Sequence, residues 1–221
     1  MFEFKYKDYS FHCEIGTMTP LQYIKMIYIL EDLKPKRICE LGSGVSTEIF
    51  DVYCKKEDSI RFSIEHDEFY KRYNHTIMMP LIENSSLNLN GHSYKNCCKY
   101  GGFEDWLYGQ NGFDLIFIDG PNDGIPFNPY NLEYARVQLF DFVLMDKLNN
   151  ECVVMYHDSE RDVAQNTLNE FERLLTDKGY AYQKEVVVEK DKEIIEYNKI
   201  TLGVCPELTS YKIDFNGNKR I

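Results

Sequence analysis

The sequence lacks several features that would point to particular classes of protein. It has no run of 18 apolar residues, so we expect no transmembrane helix, and its charged, alternating start MFEFKYKDYSF is unlike a signal peptide. Positive charge is scarce: 25 Lys and Arg stand against 36 Asp and Glu, a net charge of −11. Since affinity for nucleic acid comes mainly from basic side chains, we expect no nucleic-acid partner, and a cytoplasmic location without a membrane partner is the default.

Disulfide and zinc frameworks are also missing. The seven cysteines make an odd count and contain no CxxC pair. Cys39 and Cys152 lie inside apolar runs, which indicates reduced thiols that serve as small apolar side chains. With 221 residues, 43% of them hydrophobic, the chain is expected to form one domain, in which 1–34 precedes a core of 35–205 and a tail of 206–221.

Apolar runs and turn residues predict alternating strands and helices. Strands are expected in 2–15 (one strand, or two that form a hairpin), at 37–41, 61–66, 76–82, 94–99, 114–119 and 152–158, and twice within 180–205. Helices are expected at 20–33 with Thr19 as N-cap, and at 46–54, 68–73, 103–107, 130–148 and 159–179 with Ser159 as N-cap and Gly179 at C′. This order predicts an α/β fold with a mostly parallel sheet, helices on both faces and a closing antiparallel hairpin.

Acidic residues follow four of the expected parallel strands. They are Glu40, then Glu65 and Asp67 on either side of His66, then Asp119, then Asp158 after His157. In an open parallel sheet the carboxyl ends of the strands meet at one edge, where ligands bind. Five carboxylates that converge there repel one another unless a ligand or cation uses them, so the pattern predicts a binding site.

The spacing around the first glycine turn indicates the charge of that ligand. Glu65 comes 21 residues after Gly44, as does the acid that binds ribose hydroxyls in nucleotide sites. Glu40, however, precedes the turn and would repel a pyrophosphate, and Thr47 stands where a dinucleotide motif has its third glycine. A ligand with ribose and positive charge, such as S-adenosylmethionine, fits this pattern better than NAD.

At these residues the sequence resembles a known family. CELGSGVST and SIEHD are similar to the first and second motifs of class I S-adenosylmethionine-dependent methyltransferases, over about residues 35 to 205. The resemblance implies a Rossmann-like sheet of seven strands. It also implies cofactor contacts from a set of residues around the strand ends, namely Glu40, Gly42, Ser43, Gly44, Ser46, Thr47, Glu65, His66 and Asp119. The usual adenine contact has no clear match in 83–112.

FDLIFIDGP and VVMYHDSERD resemble a subgroup of small-molecule and sugar O-methyltransferases, some of whose relatives bind a divalent metal. A hydroxyl must lose a proton as it attacks the methyl group, and Asp119, His157 and Asp158 are the candidate catalytic residues for that loss, with His157 as the preferred base. Asp119 and Asp158 are also candidate ligands for Mg²⁺ or Mn²⁺. The alternatives are that Asp158 caps the next helix and that Asp119 positions the Gly-Pro turn.

Two arginines lie near these motifs. Arg161 either binds an anionic group of the acceptor or pairs with a local acid such as Glu160. Arg136 is expected to face solvent or to pair with Glu133. The aromatic loop at 127–134 is a lid, a wall for the acceptor or core packing. The N-terminal strands and the 21–33 helix either cover the cofactor or form a contact in a homodimer.

The sequence therefore favours a methyltransferase that acts on a hydroxyl of a small molecule or glycan. An NAD-dependent oxidoreductase is the alternative enzyme, which Glu40, Thr47 and the lack of a Tyr-x-x-x-Lys pair disfavour. A non-catalytic binding module on the same fold is the third candidate.

Overall fold

The computed structural model describes residues 2–13, 18–89, 92–121, 132–187 and 207–215. Its centre is a sheet of seven strands, in the order β10-β11-β9-β8-β3-β4-β5. These strands are β3 (Arg37–Leu41), β4 (Ile60–Glu65), β5 (Ile77–Met78), β8 (Phe113–Ile118), β9 (Leu148–His157), β10 (Tyr180–Val187) and β11 (Leu208–Phe215). Two hairpins complete the strands: β1 (Phe2–Tyr6) with β2 (Tyr9–Cys13), and β6 (Leu81–Leu89) with β7 (His92–Tyr100).

The pairing directions confirm the predicted fold class. β3 pairs in parallel with β4 and β8, β4 pairs in parallel with β5, and β8 pairs in parallel with β9. β11 is antiparallel to both β9 and β10, so it forms the closing hairpin at one edge. The carboxyl ends of β3, β4, β8 and β9 therefore lie at the same edge of the sheet.

Helices cover both faces of the sheet. One buried cluster joins the N-terminal hairpin, α1 (Pro20–Leu33) and α2 (Val45–Glu57) to residues such as Phe117 and Met155 of the sheet. The other cluster joins the β6–β7 hairpin, α3 (Phe103–Tyr108), α4 (Gln138–Leu144) and α5 (Asp162–Asp177) to the opposite face. Cys39 and Cys152 are fully buried free thiols, as expected.

The start of α1 follows its sequence signals. Thr19 is the N-cap, Pro20 occupies the first turn, and Thr19 and Gln22 form a capping box in which each side chain accepts the other residue's backbone N–H. The helix ends at Leu33, just before Pro35, with Lys34 in the left-handed conformation.

Three helix predictions need correction. The helix expected at 130–148 is only Gln138–Leu144, because Arg136 has φ 56°, a left-handed backbone that cannot continue a helix; residues 130 and 131 lie outside the described part. The predicted N-cap Ser159 instead accepts a hydrogen bond from Thr209 on β11, and α5 begins at Asp162 after Arg161. The helix expected at 68–73 is a single 3-10 turn, Glu68–Tyr70.

The remaining differences concern the strands. The apolar run 76–82 is divided between β5, in the main sheet, and β6, in the separate hairpin. The second closing strand is β11, which lies in the segment assigned to the tail, whereas 188–206 lies outside the described residues. Gly179 follows Lys178, the C-cap of α5, and has φ 80°, as its predicted C′ role requires. None of the described helices is long and apolar enough to cross a membrane.

Candidate functional site

A cleft of about 230 Å³ lies at the carboxyl ends of β3, β4, β8 and β9. Its walls come from the glycine turn after β3, the acidic segment after β4, the Asp119-Gly120 step after β8 and the polar turn after β9. The start of α1 adds Met18 and Tyr23. The cleft therefore stands where the sequence placed a ligand site, and it contains most of the predicted residues.

The glycine turn makes a close contact with the strand beside it. Gly42 has φ 90°, and a Cβ built on it would lie 2.6 Å from the backbone nitrogen of Gly120 and 2.8 Å from the carbonyl carbon of Asp119. Gly42 N–H donates to Ile64 on β4 at 2.8 Å. Only glycine fits at this position, so the turn that ends β3 is held directly against the end of β8.

Glu40 lies beneath the turn, away from the walls of the cleft. Its carboxylate is fully buried and accepts hydrogen bonds from Ser46 Oγ (2.7 Å), Thr47 Oγ1 (3.0 Å) and Ser63 Oγ (2.5 Å). Burial raises the pKa of Glu40 to about 7, opposed by Arg61 at 3.7 Å and by those hydroxyls. Glu40, which the resemblance implies as a cofactor contact, thus fixes the start of α2 from inside.

Thr47 is fully buried as well, and its hydroxyl accepts the N–H of Gly44 at 2.8 Å. Ser46 lines the cleft but donates its hydroxyl to Glu40. Ser43 faces the cleft and donates its hydroxyl to the carbonyl of Tyr70. Of the residues predicted around this turn, Gly42, Ser43, Gly44 and Ser46 line the cleft, whereas Glu40 and Thr47 support it.

Glu65 brings the glycine turn and the second acidic motif together. Its Oε2 accepts the N–H of Ser43 at 2.9 Å, and its Oε1 accepts the N–H groups of His66 (2.7 Å) and Asp67 (3.0 Å). A carboxylate has about four acceptor positions, so Oε2 keeps capacity for a second donor such as a ribose hydroxyl. His66 also lines the cleft, with Nδ1 2.8 Å from Glu65 Oε1.

On the opposite wall, Asp119 and His157 form a pair. His157 Nδ1 lies 2.8 Å from Asp119 Oδ1, and the Asp119 side chain is 34% exposed whereas that of His157 is 3% exposed. His157 Nε2 is buried and has no hydrogen-bond partner in the described part of the chain. Asp119 is therefore the member of the pair that a ligand in the cleft would touch, and His157 stands behind it.

The pKa values of His157 and Asp119 shift in opposite directions. Burial alone would lower the pKa of His157, but the carboxylates of Asp119 and Asp158 outweigh burial and raise that pKa above its usual 6.5. Burial alone would raise the pKa of Asp119, but His157, Arg136 and Arg161 hold it below its usual value. The pair thus favours a protonated imidazole beside an ionised carboxylate.

Arg136 is the main residue that the sequence reasoning misplaced. It was expected to face solvent or to pair with Glu133, yet its side chain is 3% exposed and lines the cleft. Its guanidinium donates to the carbonyl of His157 at 2.6 Å and to Asp158 Oδ2 at 3.3 Å, and lies 3.6 Å from Asp119 Oδ1. No local signal in the sequence identifies this role, because its partners His157 and Asp158 lie at the end of β9.

Arg161 and Asp158 complete this wall. Arg161 Nη2 lies 2.8 Å from Asp158 Oδ2, and its Nε lies 3.9 Å from Glu160, so the pairing with local acids is confirmed, while the side chain still lines the cleft. The side chain of Asp158 faces these arginines, and α5 has no side-chain cap. Its alternative role as a helix cap is therefore wrong.

The predicted metal ligands do come together. Asp119, His157 and Asp158 offer ligand atoms within 4.8 Å of one another, and oxygen and imidazole ligands suit Mg²⁺ or Mn²⁺. Two observations oppose the fit of an ion. His157 Nδ1 is occupied by Asp119, and the guanidinium of Arg136 already contacts both carboxylates. As they stand, these residues hold an arginine and do not fit a metal.

Within 83–112, where the sequence offers no clear adenine contact, Tyr100 at the end of β7 lies beside residues of the cleft. Tyr100 is buried, its hydroxyl lies 2.5 Å from a Cβ built on Gly120, and its ring centroid is 6.1 Å from that of His66. Tyr70 and Arg72, which the sequence did not single out, line the cleft beside Asp67. The part of the 127–134 loop up to residue 131 lies outside the described residues.

Comparison with known proteins finds likeness in structure alone. No protein-family model and no curated protein matches the chain. Among solved structures, cofactor-bound Rv0187 from MTB is 9% identical with a TM-score of 0.53, over 92% of this chain and 84% of that one. A candidate O-methyltransferase from Klebsiella pneumoniae is 12% identical with a TM-score of 0.52, over 91% and 83%.

The O-methyltransferase TomG from Streptomyces achromogenes, involved in tomaymycin synthesis and solved in complex with S-adenosylmethionine, is 12% identical with a TM-score of 0.50, over 90% of this chain and 82% of that one. At such identities the likeness is one of fold. The chain therefore has a Rossmann-like fold that it shares with solved structures of S-adenosylmethionine-dependent methyltransferases.

Proposed function

We propose that this protein is an S-adenosylmethionine-dependent methyltransferase that acts on a hydroxyl group of a small molecule or glycan. The observation that carries the proposal is the hydrogen bond between Ser43 N–H and Glu65, because it joins the glycine turn to the acid that we propose binds ribose, and both residues line one cleft. The shared fold with TomG, whose structure contains S-adenosylmethionine, supports the same ligand.

The cleft suits the charges of this cofactor. Its ribose hydroxyls would donate to Glu65, and its cationic groups would lie among the carboxylates of Glu65, Asp67 and Asp119. The backbone of Gly42 to Gly44 leads into the N-terminus of α2, whose positive end favours the carboxylate of the methionine moiety. Glu40 and Thr47 would act indirectly, because they hold the turn in this shape.

The chemistry requires an acceptor oxygen, a methyl donor and a place for one proton. When bound, S-adenosylmethionine would supply the methyl group: the acceptor oxygen would bond to the methyl carbon, and sulfur would keep the electron pair of the carbon–sulfur bond that breaks. Asp119 faces the cleft and would orient the acceptor hydroxyl, with its proton passing to the Asp119–His157 pair. Asp158 would hold Arg161 at the same wall, where Arg161 would bind an anionic group of the acceptor.

The two competing functions receive less support. An NAD-dependent oxidoreductase needs a turn that accepts a pyrophosphate, whereas this turn is lined by a carboxylate at Glu65 and backed by Glu40. A non-catalytic binding module would not need the Asp119–His157 pair at the wall of the cleft.

Calorimetric titration with S-adenosylhomocysteine tests the proposal, with NAD as the comparison ligand. We expect saturable binding of S-adenosylhomocysteine that Glu65→Ala abolishes. The matched control is Glu68→Ala, because Glu68 is a mostly exposed carboxylate on the turn that follows β4. Binding of NAD instead, or no loss of affinity in Glu65→Ala, would overturn the assignment.

A further inference from the structure

The acid cluster at the ends of β8 and β9 already contains a cation that belongs to the chain. Two carboxylates, Asp119 and Asp158, face the guanidinium of Arg136 at 3.6 and 3.3 Å. The same guanidinium donates to the carbonyl of His157 at 2.6 Å, so one arginine contacts all three residues whose side chains could otherwise surround an ion.

The position of Arg136 is fixed by its surroundings. Its guanidinium carbon lies 5.3 Å from the ring centroid of Tyr156, and its side chain is buried. Its backbone has φ 56°, a conformation that bulky residues adopt only where the surrounding structure imposes it. The backbone of Asp158 is also left-handed, with φ 57°. These constraints aim the guanidinium at the cluster rather than at solvent.

The carboxylates of the cluster already face positive charge. Arg161 contributes a second guanidinium, 2.8 Å from Asp158 Oδ2, so two arginines face the two carboxylates. A divalent ion that bound these carboxylates would lie within a few ångströms of fixed positive charge, and like charges at such distances repel strongly where burial limits screening. An ion would have to displace Arg136 from a buried site in order to bind.

We propose that Arg136 is the resident cation of this site and takes the place of a divalent metal between Asp119 and Asp158. In that position the guanidinium contacts both carboxylates and keeps Asp119 directed into the cleft. Arg136 is thus a positioning residue for Asp119. The proposal deepens the proposed function and rests on it for one point, the role of these carboxylates in methyl transfer. Which cation the carboxylates hold does not depend on the cofactor.

Binding of Mn²⁺, followed through the electron paramagnetic resonance signal of the free ion, tests the proposal directly. Asp158→Asn shows which part of any binding belongs to this cluster. In the wild-type protein we expect no saturable Mn²⁺ binding that depends on Asp158, so Asp158→Asn should change nothing. In Arg136→Met we expect saturable Mn²⁺ binding at least about tenfold tighter than any residual binding by the wild type, because the released carboxylates then attract the ion.

Two variants control for charge and for folding. Arg136→Lys keeps a cation at the site and should not gain Mn²⁺ binding. Arg37→Met removes a positive charge at the opposite end of the sheet, where Arg37 bonds to Gly112, and should leave Mn²⁺ binding unchanged. Thermal unfolding followed by circular dichroism establishes that each variant is folded.

Two results would overturn the proposal. Saturable Mn²⁺ binding by the wild type that Asp158→Asn abolishes would show that the cluster takes a metal with Arg136 present. If Arg136→Met binds Mn²⁺ no more tightly than the wild type does, Arg136 is not what excludes the ion, and the proposal is overturned as well. If Arg136→Met does not fold, the comparison of wild type with Asp158→Asn still decides. Titration with S-adenosylhomocysteine is separate, so a failure of the proposed function and a failure of this inference give different results.

Discussion

Asp119 and His157 lie on neighbouring parallel strands, and their side chains meet at 2.8 Å with the carboxylate toward the cleft and the imidazole behind it. This order reverses the expectation that His157 is the group a substrate would touch. It also means that the protonation of His157 depends on Asp119, because the imidazole is buried and only neighbouring carboxylates favour its charged form.

The first prediction concerns the pKa of His157. In the wild-type protein we expect it above 6.5, and in Asp119→Asn we expect it to fall, because burial then opposes the charged imidazole with less compensation. Nuclear magnetic resonance of the imidazole C–H protons measures this pKa, and His157→Gln identifies the signal among the five histidines.

The matched control is Asp67→Asn, which removes a carboxylate from the opposite wall of the cleft, where Asp67 accepts the N–H of Phe69. It should leave the His157 pKa where it is in the wild type. A His157 pKa below 6.5 in the wild type, or one that Asp119→Asn does not change, would contradict the pairing.

The second prediction concerns the contact between Gly42 and Gly120. Gly42→Ala places a methyl group against the backbone of β8 and strains a left-handed residue, so we expect a loss of at least about 1–3 kcal/mol of stability together with loss of S-adenosylhomocysteine binding. Urea unfolding and calorimetric titration measure the two effects.

Gly44→Ala is the control for this position. A Cβ on Gly44 meets no atom of the described residues within 4 Å, so stability should change by less than about 0.5 kcal/mol. Because Gly44 lines the cleft, the same substitution should still weaken S-adenosylhomocysteine binding. Equal stability of Gly42→Ala and the wild type would show that β3 and β8 do not approach as closely as described.

The sequence was sufficient to place the carboxylates at one edge of the sheet, because parallel strands present their carboxyl ends together and each acid follows an apolar run. It did not show which way each acid points. Glu40 pairs in register with Ser63 on β4, so its side chain lies over that neighbour and under α2 rather than in the cleft. Such a choice depends on the neighbouring strand, which local sequence does not specify.

Arg136 shows the same limit in another form. The segment 130–148 has helix-forming residues throughout, and Arg136 reads as an exposed position within it. In the structure a left-handed backbone interrupts the segment, and the guanidinium finds partners that lie about 20 residues further along the chain. Tertiary contacts overrode local propensity here, as they often do at binding sites.

The third prediction concerns the hydroxyl of Tyr100, which is buried without a hydrogen-bond partner among the described residues. An unsatisfied buried hydroxyl opposes folding, so Tyr100→Phe should leave stability unchanged or raise it by about 1 kcal/mol. Urea midpoints with unchanged slopes measure the difference.

Tyr211→Phe is the comparison, because Tyr211 is equally buried but donates its hydroxyl to Glu172 at 2.8 Å. It should lose about 1 kcal/mol or more. If Tyr100→Phe lost as much as Tyr211→Phe, the Tyr100 hydroxyl would have a partner in solution. If Tyr100→Phe kept its stability but bound S-adenosylhomocysteine more weakly, the hydroxyl would contact the ligand.

The fourth prediction concerns Asp141, whose pKa is raised to about 7 mainly by burial and further by Glu104. The folded state then binds this proton more tightly than the unfolded chain, so the stabilisation is complete below pH 3.8 and is lost as pH rises through about 7. Asp141→Asn should therefore raise the free energy of unfolding by about 2–4 kcal/mol at pH 8 and change it little at pH 4.

Asp105→Asn, the same substitution at an exposed position of α3, should leave stability within about 0.5 kcal/mol of the wild type at both pH values. Equal effects of Asp141→Asn at pH 4 and pH 8, measured by urea unfolding, would show that folding does not raise the pKa of this carboxyl.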